Sequence, residues 1–408
     1  MILTPEEQRM LDDGGAVAAA LQEQILVGQF FGAERFVEIT NAHFTGDPEV
    51  FGSAGQEYLE QLVAGGGRCR VSTTRNAVCV DVEALDELAQ SVELAKDELH
   101  VRKLLASLGA MAVNTCIGYQ TVYQPQAGEH VAWGDTGTVA YANAVLGARS
   151  NYEAGSSSLL AGITGRTPAY GFHLDEHRAA RYLVRVEAEL TDPAHWGAIG
   201  ALVGQRHRGY DNVAAIEVVS GSIPDTDDLK HLSAAIASYG SMAMFHVVGV
   251  TPEAPTLAAA TQGKPLIETS TLTAADLGAF LSHDSEAPSV TVFTAPQLSL
   301  FEVARIDELL VGRRVKDGTV MILTTNRMVG EEAERLGYAE RLRAAGVKII
   351  HDTCWYLMDP ASQRKEFGWS TLTTNSAKLA NIVRAHGYQP SVRTTADCVA
   401  VSTEEVPA

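Results

Sequence analysis

Cys116 and Cys354 each close a short apolar run, "MAVNT" and "VKIIHDT", in parts of the chain far apart in sequence. Two such thiols converging in a cleft are soft ligands of the kind that hold iron–sulfur clusters or zinc, whereas each alone is an ordinary buried cysteine. His43 in "TNAHFTG" reads as a loop residue between strand and helix, open to a hydrogen-bonding or a proton-moving role. Lys378 in "TLTTNSAKLANIV" falls one turn into the last helix, where an ammonium either closes an anion pocket or lies in solvent.

The stretch "ARSNYEAGSSS" adds Arg149 and Asn151, then Ser156, Ser157 and Ser158. Arginine suits bidentate capture of a carboxylate or phosphate, and an ion pair with Glu153 is the structural alternative. One of the serines is expected to cap the helix that follows, and a helix start also offers N–H groups to an anion. His173 and His177 stand four apart in "YGFHLDEHR", a metal-binding spacing only on a helix, while the neighbouring Pro168 and Gly171 indicate a loop. No phosphate-binding G-x-x-x-x-G-K-[ST] run occurs.

The elements that position these residues form an alternation of strand and helix, the pattern of an α/β protein with parallel sheets. Seven apolar runs end in polar residues or cysteine: "RFVEIT" before Asn41 and His43, "RVSTT" before Arg75 and Asn76, "MAVNT" before Cys116, "VTVFT" before Ala295 and Gln297, "VMILTT" before Asn326 and Arg327, "VKIIHDT" before Cys354, and "STLTT" before Asn375 and Ser376. In open parallel sheets, ligands bind beyond the carboxyl ends of strands, which makes these endings the expected site. A helix is predicted over about 5 to 28, opened by Thr4, Pro5 and Glu7 as a capping box. Further strands are expected near 181 to 188, 214 to 219 and 243 to 248, before a stretch with few motifs. The expected division is 1–110 for the helix and first α/β units, 111–287 for a central α/β region with the polar block, and 288–408 for a C-terminal α/β domain.

With 31 Lys+Arg against 50 Asp+Glu the formal charge is −19, which argues against nucleic acid or an anionic membrane as partner, so an anionic ligand needs a local basic pocket. Arg75, Arg149 and Arg327 are the arginines placed to supply one. The amino terminus is not a signal peptide, and no uncharged apolar run is long enough to span a bilayer. Five cysteines, odd in number and widely spaced, do not form a disulfide framework, so a cytoplasmic protein is expected.

Taken in order, "TNAHFTG", "NTCIGY", "GEHVAWGDTGTVAYANAVLGARSNYEAGSSSLLAGITGRTPAYGFHLDEHR", "FHVVGVTPEAP", "DTCW" and "TTNSAK" resemble the large subunit of the aconitase X family, over nearly the whole chain. The resemblance implies an aconitase-like arrangement of several α/β units that dehydrates a small hydroxy acid, such as cis-3-hydroxy-L-proline or 5-phosphomevalonate. It implies an iron–sulfur cluster bound by cysteines, and a small swivelling domain carrying a catalytic serine. Since no such domain follows here, a small-subunit partner is expected.

By position, Cys116 and Cys354 match two cluster cysteines, His43 the histidine of an S-A-H loop, and Arg149, Asn151 and Ser157 the substrate-side block. Where the family reads G-C-P-H this chain has Thr294, Ala295, Pro296 and Gln297, and Asn41 replaces the S-A-H serine. Cys79 is the candidate to replace the missing thiolate. The expected enzyme is therefore a hydro-lyase in which Arg149 and Lys378 hold the acid, with Asn41, Asn76, Asn151, Ser156, Asn375 and Ser376 lining the substrate. His43, or a serine such as Ser157, moves the proton. The alternative is a cluster-free homologue, either a metal-independent isomerase or dehydratase or a non-catalytic acid-binding subunit.

Overall fold

Thr4 and Glu7 close the reciprocal pair their spacing predicts: Glu7 N–H donates to Thr4 Oγ1 at 3.2 Å and Thr4 N–H donates to the Glu7 carboxylate at 2.7 Å. The helix they start is shorter than expected. It runs Pro5–Asp12 and a second helix spans Gly15–Phe30, because Gly14 and Gly15 take φ of 74° and 67°, a left-handed backbone that ends one helix and re-aims the next. The computed structural model describes residues 1–281 and 286–406.

Beyond these helices the chain builds three all-parallel sheets, as the strand–helix alternation requires. The first places Asn41–Phe44 between Ser72–Arg75 and Val131–Trp133. The second orders Phe245–Val247, Ala214–Val218, Tyr182–Glu187 and Glu268–Thr273. The third orders Val347–His351, Val320–Thr325, Val290–Phe293, Thr371–Thr374 and Gln389–Val392. Among the described residues, no helix is long and apolar enough to cross a membrane.

Three expectations change. His43 lies inside a strand, not in a loop, because the pairing of Asn41–Phe44 with both neighbours continues through His43, opposite Thr74 and Trp133. "MAVNT" forms only an isolated bridge from Met111 to Thr74. The stretch with few motifs contributes the edge strand Glu268–Thr273, whose mostly polar sequence "ETSTLT" hides it from a hydrophobic-pattern reading.

The carboxyl ends of the first and third sheets meet. Val78 bridges Thr353 in parallel register, Val78 N–H donates to Asp352 O at 2.9 Å, and Asn326 Nδ2 donates to Thr115 Oγ1 at 3.1 Å. The second sheet is backed by the helices Pro193–Arg206 and Thr226–Gly240, which touch through glycines. A methyl group at Gly240 would stand 2.6 Å from Gly204 Cα and 2.7 Å from its carbonyl oxygen, both backbone atoms. Gly240→Ala therefore has to push the two helices apart, and urea unfolding is expected to show a loss of about 1–3 kcal/mol.

Candidate functional site

The meeting of the two sheets brings together residues that the sequence places hundreds of positions apart. Asp135 caps the helix Thr136–Ala144, accepting from Thr138 N–H at 3.1 Å and Thr138 Oγ1 at 2.9 Å, because its backbone is still extended where the helix begins. Ser376 caps Ala377–Val383, accepting from Leu379 N–H at 3.1 Å and donating to Ala295 O at 2.6 Å. That cap sets Lys378 in the first turn of its helix, where Nζ stands 3.6 Å from Asp135 Oδ1 and 5.9 Å from the centre of the Tyr356 ring. This helix is not the last, since Thr395–Ser402 follows.

Burial pushes the Asp135 carboxyl up, but Lys378 and the Thr138 hydrogen bonds outweigh it and hold the group below the usual carboxylate range. Burial likewise lowers Lys378, and Asp135 with the two nearby thiols raises it further than burial depresses it. The result is a buried ion pair whose cation keeps its charge.

Cys116 Sγ and Cys354 Sγ lie 3.6 Å apart, both buried. The hydrogen bond from Cys354 lowers the Cys116 pKa against the opposing effect of burial, with help from Gln297 N–H at 3.2 Å, and Cys354 is raised in turn. Gln297 fills the surrounding space: its Nε2 donates to Asn114 O at 3.2 Å and Thr353 O at 3.0 Å. The Gln297 backbone carbonyl accepts from Lys230 Nζ at 3.3 Å, whereas its side-chain Oε1 is buried without a partner, and Lys230 is paired with Asp227 and Glu302.

His43 Nδ1 meets Thr74 Oγ1 at 2.8 Å, and its Nε2 is buried without a partner. Burial drives its pKa down to about 4, with Asp135, Asn76 and Thr115 pulling weakly the other way, so the ring is neutral at physiological pH. A small cavity is lined by His43, Asn41, Thr74, Tyr119 and Trp133. Asn76 Oδ1 is also buried and unpartnered, while its Nδ2 donates to Thr45 Oγ1 at 3.2 Å.

The other expected residues are engaged elsewhere. Arg149 pairs with Asp175, not Glu153, and donates to His173 O at 3.1 Å. Asn151 accepts from Phe172 N–H at 2.9 Å and from the Tyr210 hydroxyl, and donates to Tyr170 O at 3.0 Å. Neither makes a hydrogen bond or ion pair to Lys378, Asp135 or the thiols. None of the serines caps: Ala154 is the N-cap of Gly155–Thr164, Ser156 is exposed, and Ser157 Oγ donates to the buried Glu153 carboxyl at 2.5 Å, which Thr167 also satisfies at 2.7 Å. Asn41 binds Ser72 O at 2.8 Å and the Trp133 indole at 2.8 Å, and Asn375 binds Thr395 at 3.1 Å. Arg75 is held bidentately by buried Glu98, and Arg327 by Asp81, Glu83 and Asp352. His173 and His177 fall in separate 3-10 turns, Gly171–His173 and Asp175–His177, so they share no helix face.

Cys79 packs with Val80 and Ala95, and burial raises its pKa. Among the described residues, no three His, Cys, Asp or Glu side chains converge as metal ligands. An iron–sulfur cluster usually rests on four protein ligands, whereas this centre offers two thiols already in contact, with Ala295 and a Gln297 amide whose NH2 is bonded to two backbone carbonyls beside them. The residues present do not fit a cluster. Sequence reasoning treated Asp135 only as a cap and Gln297 only as a lost histidine; the polar ending of "VTVFT" was the available signal for Gln297, and nothing in the sequence pairs Asp135 with Lys378.

Comparison with known proteins covers almost the whole chain. Family models described as the aconitase X first, second and third domains match residues 1–176, 180–282 and 288–404. The phosphomevalonate dehydratase large subunit of Methanothermobacter thermautotrophicus is 35% identical over 383 residues, 92% of either chain. The cis-3-hydroxy-L-proline dehydratase of Pseudomonas aeruginosa is 34% identical over 91% of this chain, which spans 64% of that enzyme. The crystal structure of Thermococcus kodakaraensis aconitase X in its holo form superposes with a TM-score of 0.87 at 32% identity, covering 98% of this chain and 100% of that one.

The buried histidine makes stability sensitive to acid. Its folded pKa of about 4 lies below the ordinary 6.5, so between those values the unfolded chain binds the extra proton and stability falls as pH falls. In urea titrations at successive pH values, His43→Gln is expected to remove on the order of 3 kcal/mol of the acid-induced loss between pH 6.5 and 4. An unchanged slope would mean that the ring is not held neutral.

Proposed function

The chain belongs to the aconitase X family, and from that membership we propose that it is the large subunit of a cytoplasmic two-subunit dehydratase acting on a small hydroxy acid. It is a hydro-lyase. Cis-3-hydroxy-L-proline or a related acid is the proposed substrate, and a separate small swivel-domain subunit completes the site. The observation that carries this reading is the buried Lys378–Asp135 pair beside neutral His43, at the meeting sheet ends of a chain whose net charge is −19.

Dehydration removes a proton from one carbon and hydroxide from its neighbour. Lys378 binds the substrate carboxylate, and Asp135 keeps the ammonium in place, so the C–H and C–OH bonds are oriented for elimination. His43, uncharged and with a free Nε2, moves the proton. Arg149, Asn151, Ser157, Asn41, Asn76, Asn375 and Ser376 shape the walls through the bonds described above rather than as free ligands, Ser156 faces solvent, and the buried Asn76 Oδ1 is left open for a substrate hydroxyl.

Ala295 and Gln297 favour, as a second reading, a metal-independent dehydratase or isomerase. Binding of acids without turnover would instead indicate a non-catalytic subunit.

The test is loss of water from cis-3-hydroxy-L-proline and from 5-phosphomevalonate with the small subunit present. Lys378→Met is expected to raise KM at least about tenfold, since an ion pair to a bound carboxylate is lost. His43→Ala is expected to lower kcat by about 10²–10⁴. Wild-type KM in Lys378→Met would remove the anion-binding role.

A further inference from the structure

Where the family motif places cysteine and histidine, this chain has Ala295 and Gln297, and the remaining two thiols face each other at 3.6 Å. Their backbones are anchored. Thr115, next to Cys116, accepts from Asn326 Nδ2 at 3.1 Å, and Thr353, next to Cys354, bridges Val78. Gln297 spans both segments through Asn114 O and Thr353 O, and its N–H holds Cys116 Sγ at 3.2 Å. The thiols are thus presented to each other by fixed loops, with no third cysteine in contact. Cys79 and Cys398 are buried in other clusters, and Cys69 lies against a third.

We propose that Cys116 and Cys354 are a redox-active dithiol that closes to a disulfide under a peroxide, at the positions where the family resemblance implies cluster ligands. Bond formation shortens 3.6 Å to about 2.05 Å, a shift that side-chain rotation and a small loop movement can supply. Cys116 sulfur attacks one peroxide oxygen and the O–O bond breaks, giving a sulfenic acid and hydroxide, which takes the thiol proton and leaves as water. Cys354 sulfur then attacks the sulfenyl sulfur, the S–O bond breaks, and the departing hydroxide takes the Cys354 proton as a second water. Two electrons pass from the sulfurs to the peroxide. The product ties together loops 238 residues apart, one in each of the two sheets' end regions.

The experiment uses full-length protein prepared anaerobically and freed of reductant, and its readouts do not depend on catalysis. Denatured protein should show five reactive thiols before hydrogen peroxide and two fewer after it. The mass should fall by about 2 Da, peptide mapping should give a Cys116–Cys354 link, and dithiothreitol should restore the thiols. Cys116→Ser should keep all its remaining thiols under the same treatment, Cys354→Ser should stop at a Cys116 sulfenic acid with one thiol fewer and no link, and Cys79→Ser should still lose two. Five thiols surviving oxidation, a link through Cys69, Cys79 or Cys398, over-oxidation of one cysteine without a link, or stoichiometric iron and acid-labile sulfide lost in both serine variants would each overturn the proposal. None of these outcomes depends on whether the chain dehydrates a hydroxy acid.

Discussion

A single buried amide, that of Gln297, connects the parts of this molecule that matter most. Its two side-chain N–H groups reach the carbonyls of Asn114 and Thr353, while the backbone N–H of the same residue reaches Cys116 and its backbone carbonyl takes a bond from Lys230. A side chain with fewer donors could not satisfy two buried carbonyls at once, and a buried carbonyl without a partner costs about 1–3 kcal/mol. The loops carrying Cys116, Cys354 and Ser376 therefore share one frame, because Ser376 in turn holds Ala295 O.

Around that frame the cations are sorted by partner. Lys230 is enclosed by Asp227 and Glu302, Arg75 by Glu98, and Arg178 by Glu253. Each is a buried charge satisfied by close carboxylates, so none is free to meet a ligand. Lys378 differs: its nearest carboxylate stands at 3.6 Å and its other neighbours are the Tyr356 ring and two sulfurs. That looser arrangement distinguishes a cation available to an incoming anion from one used up in holding domains together.

The sequence made the regular parts readable and the tertiary parts opaque. Thr4 and Glu7 act within three residues, and the strands Val290–Phe293, Val320–Thr325 and Val347–His351 are largely apolar runs, so local rules suffice for both. The long polar block around Arg149 carried the family resemblance. What it could not show is where Arg149 points, since Asp175 and Glu153 are both within reach along the chain and only the fold chooses. His43 was misplaced because the apolar run "RFVEIT" is not the strand of the first sheet: Phe36–Glu38 pairs antiparallel with Arg166–Pro168, and a new strand, Asn41–Phe44, begins beyond it. The serines lost their expected cap role because the helix begins before them, at Gly155, and of the three only Ser157 serves the buried Glu153 carboxyl.

The bridge from Val78 to Thr353 has a consequence during synthesis. The first sheet and its loops leave the ribosome well before the strand Val347–His351 exists, and domains generally fold as they emerge. Asn114, Thr115 and Cys116 must then wait, solvated and unpaired, until the last quarter of the polypeptide supplies Asn326, Thr353 and Cys354. Contacts of such long sequence separation form late and slowly. The half-made protein therefore exposes an open polar seam that closes only when the C-terminal strands have been made.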